Sequence, residues 1–447
     1  MRPLLSLAIF LAASPFWVLA STPSSSAPES VVTLRQSAKA GDVDSKYRLA
    51  MLYRDGDASV VPDLQEAASW FRSAAAAGHT AAQRELALMH LAGRGVPQSF
   101  SEAQKLFFQA AQNNDEVSQY HLAVLLLTGR GGSMSVETAI GWFERASEAG
   151  HQGAQMELGR LYLEGVHVDR DVERGLKWIE AAADQGHPES MKVLGRLFEA
   201  GDLVPENPDK ARMYYSRASD AGLPDAQIWM ASWYEGRDPP QYGKALKLYK
   251  SASRQGSADG HFGVARLNID RLLYTPNPHE GLRHLRAAVG LNHPQAHYTL
   301  GRMYGNGSLS GGSIKALEHF QQAANLGYPP AMYELALAYY QGTSPVKKNP
   351  EMAAAWWRRA SLSGHLDSQY AFSLLHLQGI GVPRNPGVAF ALANVAAAQG
   401  HPDAAKVRDE LLQTLSPEVL REAQDLSVSL FEKYAASATA DSKAQLK

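Results

Sequence analysis

Fifteen histidines give this chain its widest range of possible chemistry, since imidazole ligates metals and moves protons near neutral pH. Six of them, His79, His151, His187, His293, His365 and His401, directly follow a glycine or asparagine that recurs along the chain. Ligands about 36 residues apart fall on successive units of a repeat rather than converging on one ion, and no HExxH motif occurs. The recurrence accounts for these six, and His90 and His376 take an aromatic position in the same pattern. Ser344-Pro345-Val346-Lys347 fits S-x-x-K, a spacing that sets a serine nucleophile beside an activating lysine. It follows Gly342 in an expected loop, and the S-D-N and K-T-G partners are missing. Neither G-x-x-x-x-G-K-[ST] nor G-x-G-x-x-G occurs, so the GRG, GNG and GIG triplets read as turn glycines. Asn306-Gly307-Ser308 is a glycosylation sequon at an expected turn. No catalytic, cofactor-binding or metal site emerges, and the expectation is a protein that is not an enzyme.

The elements that carry these residues follow from the recurrence. Gly41, Gly78, Asn114, Gly150, Gly186, Gly222, Gly256, Asn292, Gly327, Gly364 and Gly400 are separated by 34 to 37 residues. A fixed period of this length marks a repeat array. A small residue keeps constant phase with it, from Ala67 and Ala103 to Ala353 and Ala389, and three residues later a large one follows, such as Trp70, Trp142, Trp178 or Trp356. At His284 and His319 that large residue is histidine, with apolar neighbours Leu285 and Phe320 able to fill the same space. Earlier in each unit Leu49, Leu86, Leu122, Leu158, Leu194, Leu300, Leu335 and Phe372 mark one helical face. Each unit reads as two antiparallel helices, and stacking of units buries a face that one pair cannot bury alone.

The pattern Ala…Leu-Gly-x-x-Tyr-x-x-Gly…Ala-x-x-Trp-[Phe/Ile]-x-x-Ala-x-x-Gly resembles the Sel1-like repeat, a relative of the tetratricopeptide repeat. AQMELGRLYLEG (154–165) with GLKWIEAAADQG (175–186) carries the likeness best, and AHYTLGRMYGNG (296–307) shares it. The resemblance spans residues 33–410 in about ten units. It implies an all-α, right-handed superhelical solenoid that serves as an adaptor or scaffold. The unit from Gly256 departs most, with Asn268 in place of the aromatic and no glycine three residues on, which predicts a bend or looser joint there. Some secreted Sel1-like proteins carry a cysteine pair per repeat; this chain has no cysteine and does not resemble that group.

One feature exceeds what a repeat needs. After the Leu-Gly of the first helix, or its equivalent, stand Arg160, Arg196, Arg266 and Arg302, interrupted by Ser232. Met51, Leu88, Val124, Leu337 and Leu374 take the same position toward the ends. Residues in one phase form a row along a stack, so these arginines are the candidate partner-binding residues, suited to carboxylates of a protein or acidic glycan. Local pairing is the competing reading, with Glu157 and Glu164 near Arg160 and Asp270 near Arg266 in sequence.

Residues 1–20 read as a secretory signal, with Arg2, an apolar core from Leu4 to Ala13 and Val18-Leu19-Ala20 before a cleavage point. Seventeen mostly apolar residues broken by Pro15 fall short of a membrane span, so cleavage is expected and no stable span afterwards. Residues 21–32 read as a flexible leader, 411–434 as a capping helix and 435–447 as a disordered tail. Lys plus Arg number 43 against 45 acidic residues, a balance that argues against nucleic-acid binding. The expected function is a periplasmic or secreted scaffold for other envelope or secreted proteins. The alternatives are a scaffold for acidic polysaccharide and, with no catalytic constellation to support it, a cell-wall or β-lactam hydrolase.

Overall fold

The computed structural model describes residues 31–444, and among them every regular element is a helix. The expected signal segment and residues 21–30 of the leader lie outside the described residues. The chain forms two compact units, divided between Ala221 and Gly222. In the first, α1 (Val31–Lys39) precedes the pairs α2 (Val43–Asp55) with α3 (Leu64–Ala76) and α4 (Thr80–Ala92) with α5 (Phe100–Gln112). Then come α6 (Glu116–Thr128) with α7 (Val136–Glu148), α8 (Gln152–Glu164) with α9 (Val172–Asp184), and α10 (Pro188–Ala200) with α11 (Pro208–Asp220). The second unit pairs α12 (Pro224–Glu235) with α13 (Tyr242–Arg254), α14 (Ala258–Ile269) with α15 (Pro278–Gly290), and α16 (Pro294–Gly305) with α17 (Gly312–Asn325). It continues with α18 (Pro329–Gln341) and α19 (Pro350–Leu362), α20 (Leu366–Gln378) and α21 (Pro386–Ala398), then α22 (Pro402–Thr414) and α23 (Pro417–Ala444). Within each unit consecutive helices pack on one another as far as α22, and α23 packs on α21.

The period has a backbone cause. All eleven landmark residues have positive φ, from 58° at Asn292 to 107° at Gly41. Each sits in the turn after a second helix, where only glycine, or asparagine at small cost, accepts a left-handed backbone. The next amide closes the turn, as His151 N–H does on the Ala146 carbonyl at 2.9 Å. Second helices start on Asp63, Ser99, Asp171, Asn207, Asn277, Asn349 and Asn385, whose side chains accept amide hydrogens of the first turn.

Trp142, Tyr214 and Leu392 of the large-residue series are buried as expected, but other repeats differ by one residue. The side chain sunk between helices is not Trp70, Leu106 or Trp178 but the next one: Phe71, Phe107 and Ile179 are fully buried. As the sequence suggested, Leu285 and Phe320, rather than His284 and His319, fill the core. Counting from the buried small residue, four positions complete a helical turn onto the same face, whereas three fall to its edge. Burying each such Phe or Ile contributes about 2 kcal/mol. Small residues let the partner helix approach: a Cβ on Gly159 would lie 2.4 Å from Ile179 Cγ1 and 2.8 Å from the Gly175 carbonyl oxygen.

The departing unit from Gly256 keeps its helix pair. In most repeats the amide opening the second helix donates to a backbone carbonyl of the first, as Asp171 N–H does to Tyr162 at 3.0 Å. Here Asn277 N–H donates to the side-chain oxygen of buried Asn268 at 2.8 Å, while Asn268 Nδ2 donates to the Val264 carbonyl at 2.9 Å. The amide side chain replaces a backbone acceptor, and Arg271, at φ 55°, takes the left-handed position that elsewhere suits glycine. The boundary between compact units lies elsewhere, at residue 221.

Helical backbone in α23 continues past Tyr434 to Ala444. Ala423 and Ser427 are buried and Leu420 is half-buried, while Val419 and Leu426 are exposed. The buried stripe is thus rotated from the apolar one in the sequence, because Ser427 can donate to the Ala423 carbonyl at 2.8 Å and lie against α21.

Candidate binding surface

First helices carry every candidate residue, and histidine fixes where many of them start. The Nδ1 atoms of His79, His151, His187, His293, His365 and His401 accept the amide hydrogen three residues on, at 3.1 to 3.3 Å. Each ring is therefore an N-cap, which requires Nδ1 to be unprotonated. Most of these rings also rest on an aromatic of the preceding first helix, with centroids 4.5 Å apart for Tyr47–His79 and 4.6 Å for Tyr120–His151, Phe262–His293 and Tyr370–His401. His293 Nε2 further lies 3.0 Å from Asp259 Oδ1 of that helix. Burial holds His151, His187 and His365 below the ordinary imidazole range, which favours the neutral, capping form.

A second link joins consecutive first helices by charge. Arg54 Nη1 lies 2.6 Å from Glu85 Oε2, Arg84 Nη1 2.6 Å from Asp115 Oδ2, and Arg266 Nη2 2.6 Å from Glu235 Oε1. All three pairs are 31 residues apart. Opposite charges at that interval are the sequence signal that marks them.

The four candidate arginines divide two and two between the compact units. In the first, Arg160 is bound by Glu157 and Glu164, both at 2.8 Å, and its side chain is only 13 % exposed. Arg196 is half-buried, its charge acting on Tyr215, whose hydroxyl donates to Glu199 at 2.9 Å. In the second unit Arg266 does not pair with Asp270, as its sequence neighbourhood suggested, but reaches back to Glu235. Asp270 instead forms the C-cap of α14, with its own amide on the Arg266 carbonyl. Glu235 also accepts from the Tyr249 hydroxyl at 2.7 Å, and burial pushes that phenol up to about 12. Arg302 is exposed, its guanidinium carbon 5.9 Å from the Tyr298 ring centroid. Its charge reaches Glu334, whose carboxyl burial pushes above the ordinary range. Arg160 and Arg266 are thus neutralised within the fold, and the outward cation is Arg302.

Ser344 to Lys347 lie in the loop between α18 and α19. Among the described residues no group of three or more His, Cys, Asp or Glu could hold a metal ion, and no helix is long and apolar enough to cross a membrane.

The Sel1 repeat model matches residues 43–79, 80–115, 117–151, 153–187, 188–223, 224–257, 294–328, 329–365 and 366–401. The chain belongs to the Sel1 repeat family. Between the sixth and seventh matched repeats of this Sel1 protein lies the unit containing Asn268, which the family model passes over although its helix pair is present. A protective antigen of uropathogenic Escherichia coli strains, displaying an SLR fold, is similar over 93% of this chain and 97% of its own, with 25% identity and a TM-score of 0.56. A Sel1 repeat protein from Oxalobacter formigenes is 27% identical over 56% of this chain and 100% of its own, with a TM-score of 0.49. A comparison with curated proteins finds no match. Sel1 repeats generally act as non-catalytic scaffolds for protein–protein interaction.

Proposed function

We propose that this Sel1 protein is a non-enzymatic adaptor of the bacterial cell envelope, periplasmic or secreted, which holds partner proteins on its first-helix surface. One observation carries the reading: the side chains of that surface are locked before any partner arrives. Within each compact unit, capping histidines stacked on the preceding first helix and arginine–carboxylate links 31 residues apart tie several first helices to the next. A surface ordered in advance loses little conformational entropy on binding. Residues 1–20, with their charged start and apolar core, support export. Arg302 beside Tyr298 supplies an outward cation for a partner carboxylate.

The test is capture with the tagged full chain in its own host, comparing envelope and cytosolic fractions by mass spectrometry. The expected result is a protein enriched from the envelope alone and lost with Arg302→Ala. Enrichment from cytosol alone overturns the location, and capture unaffected by Arg302→Ala overturns the surface. A carboxylate-bearing polysaccharide is the second reading that exposed Arg302 favours; binding to such a glycan, weakened by salt, would replace the protein partner.

A further inference from the structure

Two consecutive repeats of the second unit carry a paired exchange found in no other repeat. On their first helices His261 and His297 stand where Gln83, Gln119, Gln155 and Gln369 stand elsewhere. Those glutamines donate to a carbonyl of the preceding second helix, as Gln155 Nε2 does to Ser147 at 3.0 Å. On the second helices of the same two repeats, His284 and His319 replace the Trp, Tyr or Leu of the others. The exchanged residues meet: His261 Nδ1 lies 2.9 Å from His284 Nδ1, and His297 Nδ1 lies 3.1 Å from His319 Nδ1.

The ring centroids of the two pairs are 4.9 and 5.3 Å apart, about 2 Å more than their nitrogens. The lone-pair axes therefore face each other nearly head on, which suits a shared N–H···N proton. They do not converge on an ion beside them, and among the described residues no third ligand joins either pair.

We propose that these two imidazole pairs are a proton-operated latch, closing α14 on α15 and α16 on α17 in neutral solution and releasing both helix pairs in acid. In the neutral pair one ring donates its Nδ1–H to the Nδ1 lone pair of the other. A first added proton goes to Nε2 of the donor ring, keeping the bond but placing charge in a buried site. A second goes to the acceptor Nδ1, sets two N–H groups against each other and breaks the bond. Burial holds His261, His284, His297 and His319 all below the ordinary imidazole range, and the partner's charge adds to this at His284 and His297. Around His284 the facing charges are Glu280, Arg283 and Lys250, of which Lys250 and Glu280 pair at 2.7 Å. Around the other pair are His293, Lys315 and Glu318, with Tyr304 stacked on His319.

Because these folded-state values are depressed, the latch is fully closed above the unfolded value of about 6.5 and weakens as pH falls below it. The test is native-state hydrogen exchange of the full chain from pH 7 to pH 5, corrected for intrinsic exchange rates. Protection in α14–α17 should fall by up to about tenfold per imidazole for each pH unit below about 6.5, until the folded pairs themselves take up protons. Replacing His284→Leu and His319→Leu, which copies Leu248 and Leu392, should remove that extra pH dependence. Equal pH dependence in α14–α17 and in the cap-bearing α18–α21 overturns the proposal. Should the double variant fail to fold, imidazole NMR of the unmodified chain decides: two linked steps per pair support the latch, and four independent titrations in the ordinary range refute it.

Discussion

Arg84 on one first helix and Asp115 at the start of the next are joined at 2.6 Å, and Asp115 also accepts the Ser118 amide hydrogen at 2.8 Å. The carboxylate thus ends one contact and begins a helix. Arg84→Ala should cost about 1 kcal/mol by urea denaturation, and Asp115→Ala about 2, since it removes a cap as well. A double-mutant cycle should give a coupling of about 0.5–1 kcal/mol. Simple additivity would mean the pair contributes nothing between repeats.

Closeness of helices in the first unit rests on Gly159. On an open helix Gly→Ala would gain about 1 kcal/mol. Here Gly159→Ala drives a methyl against Ile179 and the Gly175 carbonyl, so the sign reverses, with a loss of about 2 kcal/mol or more. Thermal unfolding of the two chains checks this; a raised Tm refutes the close approach.

His121 stacks on Phe107 with centroids 5.1 Å apart, and burial pushes its imidazole down to about 4. The folded chain therefore refuses a proton that the unfolded chain accepts near 6.5. Stability is intact above that value and lost below it, by about 1–2 kcal/mol between pH 7 and pH 5. His121→Leu should erase that share of the acid sensitivity, read as the difference between urea midpoints at the two pH values.

Arg302→Ala should weaken capture of an envelope partner at least tenfold while helicity and Tm stay unchanged, since its guanidinium is exposed and makes no ion pair among the described residues. Arg160→Ala should behave oppositely, lowering stability through Glu157 and Glu164 and leaving binding intact. Affinity of both variants, with circular dichroism as control, separates the two roles.

The repeat was legible because its punctuation is a backbone requirement: a positive φ admits few residue types, so Gly150 or Asn292 is visible in a bare string. Phase within a helix was less legible. Trp178 and Ile179 are both apolar, and only packing shows that Ile179 is enclosed. Long side chains were least legible. Arg160 met its sequence neighbours as expected, whereas Arg266 crossed to Glu235 because four flexible torsions let an arginine choose between local and distant carboxylates. The cap histidines were correctly tied to the repeat, but their hydrogen bonds depend on ring orientation, which spacing does not encode.

His151 and its counterparts cap their own helix and act as the plug of one repeat, seated in a socket made by the repeat before: an aromatic ring and sometimes an acid. Plug and socket recur about one period apart at His151 and His187, so removing the whole period between Gly150 and Gly186 would seat His187 where His151 now rests on Tyr120. Array length can then change by duplication or excision while each joint is preserved, and reach becomes a property that selection tunes separately from the fold of any single repeat.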